Sequence, residues 1–380
     1  MIPARQEAQG ALGEQAVQAA QVTQDIQATR TVRAAIDLGT VTSRLMIGRV
    51  AGGAGCGSAG AEASATEGVV EHSSTAGGKR GVAAACGSVE VLEQSVIITN
   101  LGEGLAASGI ISSAAREKLI GALLQFRETL AEVKARLACE GRGVLDIPVK
   151  AVATSAMRDA TNAQDVLREL DELGFAVEVI SGSREAELSF RGTLSGFSEL
   201  PGRVLTIDVG GGSTELILGT SSAQILASHS FDLGSRRSTE QFLLSDPPSA
   251  AELSAAREGA REQIAGFIAS LPKRPAEAIA VAGTATSAIT IRDSIRVYDS
   301  ALVHGRRLSA EELDAGIARL SVLRLEERKL VAGLHPGRAP VIIGGLIILS
   351  AVLKALGKDS LLVSDTDILQ GILLERAKIC

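Results

Sequence analysis

Hydrophobic and polar positions in the first half of the chain predict short strands separated by helices. A long segment that opens at Ser112 and closes near Gly141 repeats apolar residues at helical spacing. A second helix is predicted over 163–173, with Gly174 as its C-cap. Short apolar or alternating runs predict strands instead. These predicted strands span residues 32–36, 44–50, 90–99, 148–154 and 175–180.

The second half repeats this alternation of strands and helices. Ser249 and Ser309 each begin a capping box, which predicts two helix starts, and the first of these helices runs to about residue 270. Further helices are predicted over 341–356 and 367–377. The predicted strands span residues 203–207, 214–218, 278–282 and 360–363. Strand-rich starts to both halves, followed by helices, predict an α/β fold class.

Composition separates two segments from the folded part of the chain. Residues 1–30 are rich in Gln and Ala, which predicts a disordered or loosely helical tail. Residues 51–88 are rich in Gly, Ala and Ser, which predicts a low-complexity insertion. A chain of 380 residues that is 46% hydrophobic can form two domains of ordinary size. We predict a first domain over 31–181 with the C-terminal helix 366–380, and a second over 182–365.

Charge and residue usage exclude several classes of protein. The net charge of −6 and the low aromatic content of 2% disfavour a nucleic-acid partner. The longest apolar run, 339–353, is shorter than the roughly 18–20 residues of a membrane span, so we expect no membrane association. The first residues lack the apolar stretch of a signal peptide, and the four cysteines form no CxxC pair. These features favour a cytoplasmic protein without a disulfide framework or zinc site.

Two segments of the chain resemble each other. Residues 35–40 read Ala-Ile-Asp-Leu-Gly-Thr, and residues 206–211 read Thr-Ile-Asp-Val-Gly-Gly. Each is a strand that ends in Asp-x-Gly and is followed by small hydroxyl residues and another extended run. Asp-x-Gly alone is a common tight turn, but two copies in equivalent contexts favour function. The repeat therefore predicts two similarly built domains that face each other across a cleft.

The chemistry of such loops suits a phosphate. Glycine lets backbone N–H groups approach an oxyanion, and Thr40, Ser213 and Thr214 add hydroxyl donors. Asp37 and Asp208, at the strand ends, can hold a hydrated divalent cation. GxxxxGK[ST] is absent, and the second loop, 210–215, lacks the third glycine of GxGxxG and is followed by a strand rather than a helix, so the pattern predicts a strand–turn–strand phosphate loop.

Several motifs in order resemble the exopolyphosphatase/guanosine pentaphosphate phosphohydrolase (Ppx/GppA) family. The resemblance runs from about residue 31 to the C-terminus and is to the short form of the family. It implies two actin-like (ASKHA, RNase H-like) domains that face a central cleft. The segments that carry it are 37–45, 100–104, 151–158, 179–186, 207–215, 282–286, 336–338 and 363–365.

The resemblance also implies roles for individual residues. Glu185 is similar to the catalytic base of the family, and Arg158 to a phosphate-facing arginine. Asp208 and Glu215 correspond to the acidic residues that organise Mg²⁺ and the attacking water. Taken alone, Glu185 would be an exposed residue at a helix start, and the neighbouring motifs favour catalysis. The residues implied or expected to bind phosphate are Gly39, Thr40, Thr154, Ser155, Gly210, Gly211, Gly212, Ser213 and Thr214.

The sequence departs from the family pattern at four positions. Val41 stands where the first loop usually has Asn, and Asn100 stands where Arg is common. Arg184 replaces the first Glu of the EEA pair, and Glu187 stands where Arg is usual. These departures concern substrate and rate, because the base itself is retained.

Three functions follow as hypotheses. The first is a Mg²⁺-dependent hydrolase that removes terminal phosphate from polyphosphate or guanosine pentaphosphate (pppGpp). The second is an ATP-using kinase or ATPase of the same superfamily, which shares the loops. The third is a non-catalytic sensor of polyphosphate or (p)ppGpp, motivated by Val41 and Arg184. A homodimer is common in the family and is a further expectation.

Overall fold

The computed structural model describes residues 31–51, 87–140 and 146–375. The predicted tail, 1–30, lies outside the described residues, and so does nearly all of the predicted insertion, 51–88. Within the described part, the chain forms two mixed β-sheets with helices packed on them. The predicted α/β class is therefore confirmed, whereas the predicted domain boundaries stay a prediction.

The first sheet has five strands in the order β3-β2-β1-β4-β5. Its first three strands pair antiparallel, and β4 and β5 continue in parallel from β1. The strands are β1 (Thr31–Leu38), β2 (Thr42–Ala51), β3 (Ser88–Ile98), β4 (Val149–Ala153) and β5 (Val177–Val179). The second half of β1 is buried because helices cover the sheet.

The second sheet has six strands in the order β10-β11-β9-β6-β7-β8. Strands β6, β7 and β8 repeat the antiparallel pairing of the first three strands, and β9 pairs in parallel with β6. The strands are β6 (Arg203–Val209), β7 (Thr214–Thr220), β8 (Ile225–Phe231), β9 (Glu277–Val281), β10 (Arg307–Ser309) and β11 (Ser360–Val363). The internal repeat in the sequence therefore corresponds to a repeated strand topology.

Helices of very different length connect and cover these strands. The first sheet carries α1 (Leu105–Ser108), α2 (Ser113–Cys139), α3 (Ser155–Asp159) and α4 (Ala163–Glu172). The second part of the chain contains α5 (Gly182–Ser195), α6 (Ser235–Phe242), α7 (Ala250–Ser270), α8 (Ala282–Arg292), α9 (Ser300–Val303), α10 (Ala310–Ser321), α11 (Leu325–Arg328), a 3₁₀ turn (Pro336–Arg338), α12 (Ile342–Leu356) and α13 (Ile368–Leu373). None of the helices in the described ranges is long and apolar enough to cross a membrane.

Helix α5 packs between the two sheets and is crossed by α13. Leu188 joins the apolar cluster behind β1, whereas Phe190 packs with residues of the second sheet. A side chain on Gly192 would collide with the backbone of Asp367, and one on Gly371 with the backbone of Leu188. Glycine at both positions lets the two helices approach closely. The start of α5 is thereby held at the cleft between the sheets.

Local patterns predicted most of the strands and most of the longer helices, but missed strands β8 and β10 and several helices, among them α1, α6, α9 and α11. Helix α6 and strand β8 lack a clear apolar period, and only the start of α5 was recognised. The C-cap of α4 is Leu173, one position before the predicted Gly174, which follows it with a φ of 85°. Helix α13 ends at Leu373, short of the predicted residue 377, which lies outside the described residues.

Candidate active site

Two hairpin turns, β1–β2 and β6–β7, form the centre of the cleft. The Gly39 N–H donates to the Thr42 carbonyl at 2.9 Å, and the Gly210 N–H donates to the Ser213 carbonyl at 3.0 Å. These bonds close the two turns in the same way, so the repeated Asp-x-Gly motif has the same local structure twice. The glycine N–H at each turn is used by the hairpin itself.

The tips of the two hairpins pack against each other. A Cβ on Gly211 would lie 2.6 Å from Val41 Cγ2 and 2.9 Å from Thr40 Cβ. A Cβ on Gly212 would lie 2.8 Å from Thr40 Oγ1 and would collide with Ser155. The second hairpin therefore needs glycine because side chains of the first fill the space. The predicted face-to-face arrangement of the loops is observed.

The hairpins enclose a narrow cavity of about 70 Å³. Most of the predicted site residues line it, together with residues from β2, α8 and α13. The lining includes Asp37, Gly39, Thr40, Val41, Arg44, Thr154, Glu185, Asp208, Gly210, Gly211, Gly212, Ser213, Gly283 and Arg338. The structure thus brings together residues that are as far apart in sequence as β1 and the 3₁₀ turn.

In the first hairpin, an arginine pairs with the strand-end aspartate. Arg44 donates to Asp37 Oδ2 at 2.7 Å and also forms an ion pair with Asp367. Burial raises the pKa of Asp37 despite the guanidinium beside it. Asp37 Oδ1 is buried and has no hydrogen-bond partner.

In the second hairpin, the residue opposite the aspartate is a glutamate. Asp208 accepts a hydrogen bond of 2.5 Å from Ser189, and Glu215 accepts one of 2.7 Å from Ser230. Burial raises the pKa of Asp208 to about 6. The pKa of Glu215 is raised well above its ordinary value by burial and by the charges of Glu185 and Asp208. This part of the site carries excess negative charge.

Glu185 reaches the cavity from the first turn of α5. Its side chain is 12% exposed, and its Oε2 accepts a hydrogen bond of 2.8 Å from Arg158. Burial raises its pKa to about 7, although Arg158 opposes this and Asp208 and Asp37 add to it. A carboxyl group with a pKa near neutrality is suited to accept a proton from water.

Four predicted site residues lie beside the cavity and do not line it. Arg158 lies behind Glu185 and also donates to the Ile180 carbonyl at 3.0 Å. The buried Thr214 hydroxyl donates to the Leu233 carbonyl, so it is already used within the protein. Glu215 lies behind the second hairpin, and Ser155 lies at the far side of the hairpin tips.

Three of the four residues that depart from the family pattern have side-chain partners within the protein. Arg184 and Glu187 form an ion pair with each other on α5, so the two exchanged charges still match. Arg184 also pairs with Glu375, and neither it nor Glu187 lines the cavity. Asn100 adopts a φ of 55° and accepts a hydrogen bond of 2.6 Å from Arg236.

The residues present fit a divalent cation. The unpartnered Asp37 Oδ1 and the acidic pair of Asp208 and Glu215 provide oxygen ligands of the kind Mg²⁺ prefers. Across the described part of the chain, no three Asp, Glu, His or Cys side chains are close enough together to hold a metal ion. A cation here would therefore need water or phosphate oxygens as further ligands.

Sequence reasoning missed three residues of the site. Arg44 was part of a recognised loop, but its pairing with Asp367 joins elements 323 residues apart in sequence. Ser189, one turn after Glu185 on α5, also had no local signal. Arg338 was part of the recognised segment 336–338 but was given no role in the site, and its guanidinium lies beside Gly283. Burial and Arg44 lower the pKa of Arg338 to about 10.

Paired glycine hairpins, buried carboxylates and the guanidinium groups of Arg44 and Arg338 around one cavity define a class of site suited to phosphoryl transfer. Comparison with known proteins agrees with this class. The model of the Ppx/GppA phosphatase family matches residues 82–379. Exopolyphosphatase 2 of Mycobacterium tuberculosis is 36% identical over 309 residues, which cover 78% of this chain and 92% of the relative.

Solved structures show the same fold. An exopolyphosphatase-like protein matches with a TM-score of 0.75 at 28% identity, covering 91% of this chain and 97% of the other. The Aquifex aeolicus member of the Ppx/GppA family matches with a TM-score of 0.67 at 24% identity and the same coverage. The chain belongs to the Ppx/GppA phosphatase family. The expectations of family, fold and enzyme class are confirmed.

Proposed function

We propose that this protein is an exopolyphosphatase that removes terminal phosphate from inorganic polyphosphate. The observation that carries the proposal is Glu185, whose nearly buried carboxyl group lines the cavity at the meeting point of the two hairpins. The similarity to relatives named exopolyphosphatases supports the choice of substrate.

The reaction requires a positioned water and neutralised phosphate charge. Glu185 accepts a proton as the water oxygen bonds to the terminal phosphorus, and the bridging P–O bond breaks. The products are orthophosphate and a chain one phosphate shorter. Arg158 holds the Glu185 carboxylate by its 2.8 Å hydrogen bond and so acts as a positioning residue. We propose that the hydroxyl of Thr40, which lines the cavity, donates to phosphate oxygens, whereas the Ser213 side chain already hydrogen-bonds to Glu215.

We propose that a divalent cation, Mg²⁺, would be held by Asp37, Asp208 and Glu215 partly through water and phosphate oxygens, since among the described residues no three such side chains are close enough together to bind it directly. When bound, it would neutralise charge on the phosphoryl oxygens. The raised pKa values of these carboxyl groups support the proposal, because burial chiefly raises them and a bound cation would favour the ionised forms instead.

A wider chamber of about 530 Å³ adjoins the cavity and provides space for the rest of the substrate. The two spaces share Arg44, Gly283 and Arg338. The chamber also contains Arg296, so cationic groups continue outward from the cavity. We call this space the front chamber, and we propose that the polyphosphate chain extends into it.

The front chamber also supports a second candidate substrate, pppGpp. Part of its lining is apolar, from residues such as Ile98, Leu334 and Pro336, which suits a nucleoside rather than a phosphate chain. The same reasoning applies to ATP if the protein is a kinase or ATPase. The candidate substrates therefore have to be distinguished by assaying them side by side.

A phosphate-release assay with Mg²⁺ tests the proposal on short polyphosphate, long polyphosphate, pppGpp and ATP in parallel. We expect release from polyphosphate, and we expect Glu185→Gln to lower it by about 10²–10⁴-fold. Glu187→Gln, on the same helix but away from the cavity, is the matched control and should retain activity.

Other outcomes of this assay would reject Glu185 as the base or support a different function. Equal activity of Glu185→Gln and the wild-type protein would reject Glu185 as the base. Phosphoryl transfer only with ATP and an acceptor would indicate a kinase. Tight binding of polyphosphate or (p)ppGpp with no turnover across divalent metals would indicate a sensor.

A further inference from the structure

A second polar chamber lies behind the hairpin tips. It has a volume of about 240 Å³ and shares Thr40, Gly211 and Gly212 with the active-site cavity. We call it the rear chamber. The packed hairpin tips lie between the rear chamber and the cavity, so a group of the size of phosphate passes between the two spaces only when the tips move apart. Its far wall is formed in part by Ala106 on helix α1.

The front and rear chambers differ in charge. The front chamber has three arginines, Arg44, Arg296 and Arg338, against two aspartates, Asp365 and Asp367. The rear chamber has two arginines and two carboxylates, so its lining is balanced. The front chamber should therefore attract a polyanion, whereas the rear chamber should neither attract nor retain one strongly.

Both rear-chamber arginines are already partnered. Arg237 pairs with Asp159 at 2.5 Å and Arg236 with Glu240 at 3.4 Å. Arg236 also donates to Asn100 at 2.6 Å, which joins the second hairpin's side of the cleft to the first sheet. An arginine at position 100, where it is common in the family, would repel Arg236 because both carry positive charge. The asparagine found here instead accepts a hydrogen bond from Arg236.

We propose that orthophosphate leaves the active site through the rear chamber, an inference that rests on the proposed polyphosphatase function. While the shortened chain still occupies the front chamber, the released phosphate cannot pass it in that direction. The rear chamber begins at the hairpin tips that hold the terminal phosphate. Its guanidinium groups are already paired with carboxylates of the protein, so the balanced charge of the chamber does not trap a passing phosphate.

Ala106→Trp tests the route because Ala106 is exposed and lines the rear chamber without contributing to the catalytic cavity. The indole should obstruct the chamber from its mouth. Ala107→Trp is the matched control, since Ala107 is exposed on the same helix but does not line the chamber. Thermal melting of both variants verifies that they fold, and Ala106→Leu provides a smaller obstruction.

The measurement compares phosphate cleaved with phosphate released on long polyphosphate. Acid-quenched samples give cleaved phosphate, and a fluorescent phosphate-binding sensor gives free phosphate. In Ala106→Trp we expect first-turnover cleavage within about twofold of the wild type and release slowed by about tenfold. Ala106→Leu should fall between, and Ala107→Trp should match the wild type.

Two results would overturn the exit route. Release that keeps pace with cleavage in Ala106→Trp, at the wild-type rate, would place the exit elsewhere. Slowed cleavage in Ala106→Trp but not Ala107→Trp would assign the rear chamber to substrate binding. A wild-type protein that cleaves no polyphosphate would instead reject the proposed function, a result separate from either of these.

Discussion

The β1–β2 and β6–β7 hairpins have the same backbone pairing but opposite charge at one matched position. Asp37 is paired in register with Arg44, and Asp208 with Glu215. The turn-closing hydrogen bonds, 2.9 and 3.0 Å, are nearly identical. The repeat thus preserves the frame of the turn while the side chain opposite the aspartate has changed sign.

This difference divides two tasks between the hairpins. The first hairpin neutralises its own aspartate through Arg44, which also pairs with Asp367 on the C-terminal helix. The second hairpin has two facing carboxyl groups held only by serine hydroxyls. We infer that the first hairpin contributes structural stability and the second depends on an external cation. Four experiments test this division.

The largest effect should follow Arg44→Gln. It would leave Asp37 and Asp367 buried with no cationic partner in contact, and removing one member of a buried ion pair costs about 3–5 kcal/mol. Urea unfolding without metal measures the loss. Arg49→Gln is the control, because Arg49 lies on the same strand but pairs with the exposed Glu90, and should cost less than about 1 kcal/mol. Equal losses in the two variants would remove the special role of Arg44.

The second effect is a pH dependence of metal-free stability. The pKa of Glu185 is about 7 in the folded protein against an ordinary 4.5, so the folded state binds this proton more tightly than the unfolded chain. Stability should therefore rise as the pH falls from about 7 towards 4.5 and be lost again as the pH rises. The difference from this group is on the order of 3 kcal/mol. Asp208, with a pKa of about 6, acts in the same direction.

Adding Mg²⁺ tests whether the same carboxylates bind the cation. A cation that binds the ionised carboxylates should stabilise the protein most at pH 8 and very little at pH 5. Thermal unfolding at both pH values, with and without Mg²⁺, measures this. Stabilisation by Mg²⁺ of the same size at both pH values would mean that the cation binds away from these groups.

The contrast between the hairpins was only partly predictable from sequence. The turns themselves were predictable, because a strand, Asp-x-Gly and a second strand are local features of the sequence. The charges opposite the aspartates were present in the recognised segments. Their consequences were not predictable, because they depend on partners such as Asp367 and Ser189 that only the tertiary fold brings close.

The missed elements have a similar explanation. Helix α6 has the sequence SRRSTEQF, which lacks an apolar face, and it is held by contacts of Ser235 and Arg236 to the second hairpin. Strand β8 is half exposed and contains small polar residues such as Ser228 and Ser230. Both elements are determined by what they pack against rather than by their own periodicity.

The third effect is on the cation requirement. Glu215→Gln retains an oxygen for Ser230 and removes the charge opposite Asp208. We expect the Mg²⁺ concentration for half-maximal phosphate release to rise by about tenfold. Glu187→Gln, an ion-paired residue of α5 outside the cavity, should leave it unchanged. An unaltered requirement in Glu215→Gln would show that the acidic pair is not part of the cation site.

The smallest effect should come from the contact between the hairpin tips. Val41 is 5% exposed, lines the cavity and packs beside Gly211, at the position where the related family has Asn. Val41→Asn would add an amide donor toward the phosphate, which should lower KM for polyphosphate by about threefold. The buried amide should lower stability by about 1 kcal/mol when no substrate is bound.

Val41→Thr separates these two consequences, because threonine keeps the branched shape against Gly211 while adding a polar group. If donation to phosphate determines KM, Val41→Asn should lower it more than Val41→Thr. If packing of the tips matters more, Val41→Asn should raise KM and Val41→Thr should not. That second result would extend the division of tasks, since the first hairpin would then support the second by shape as well as by charge.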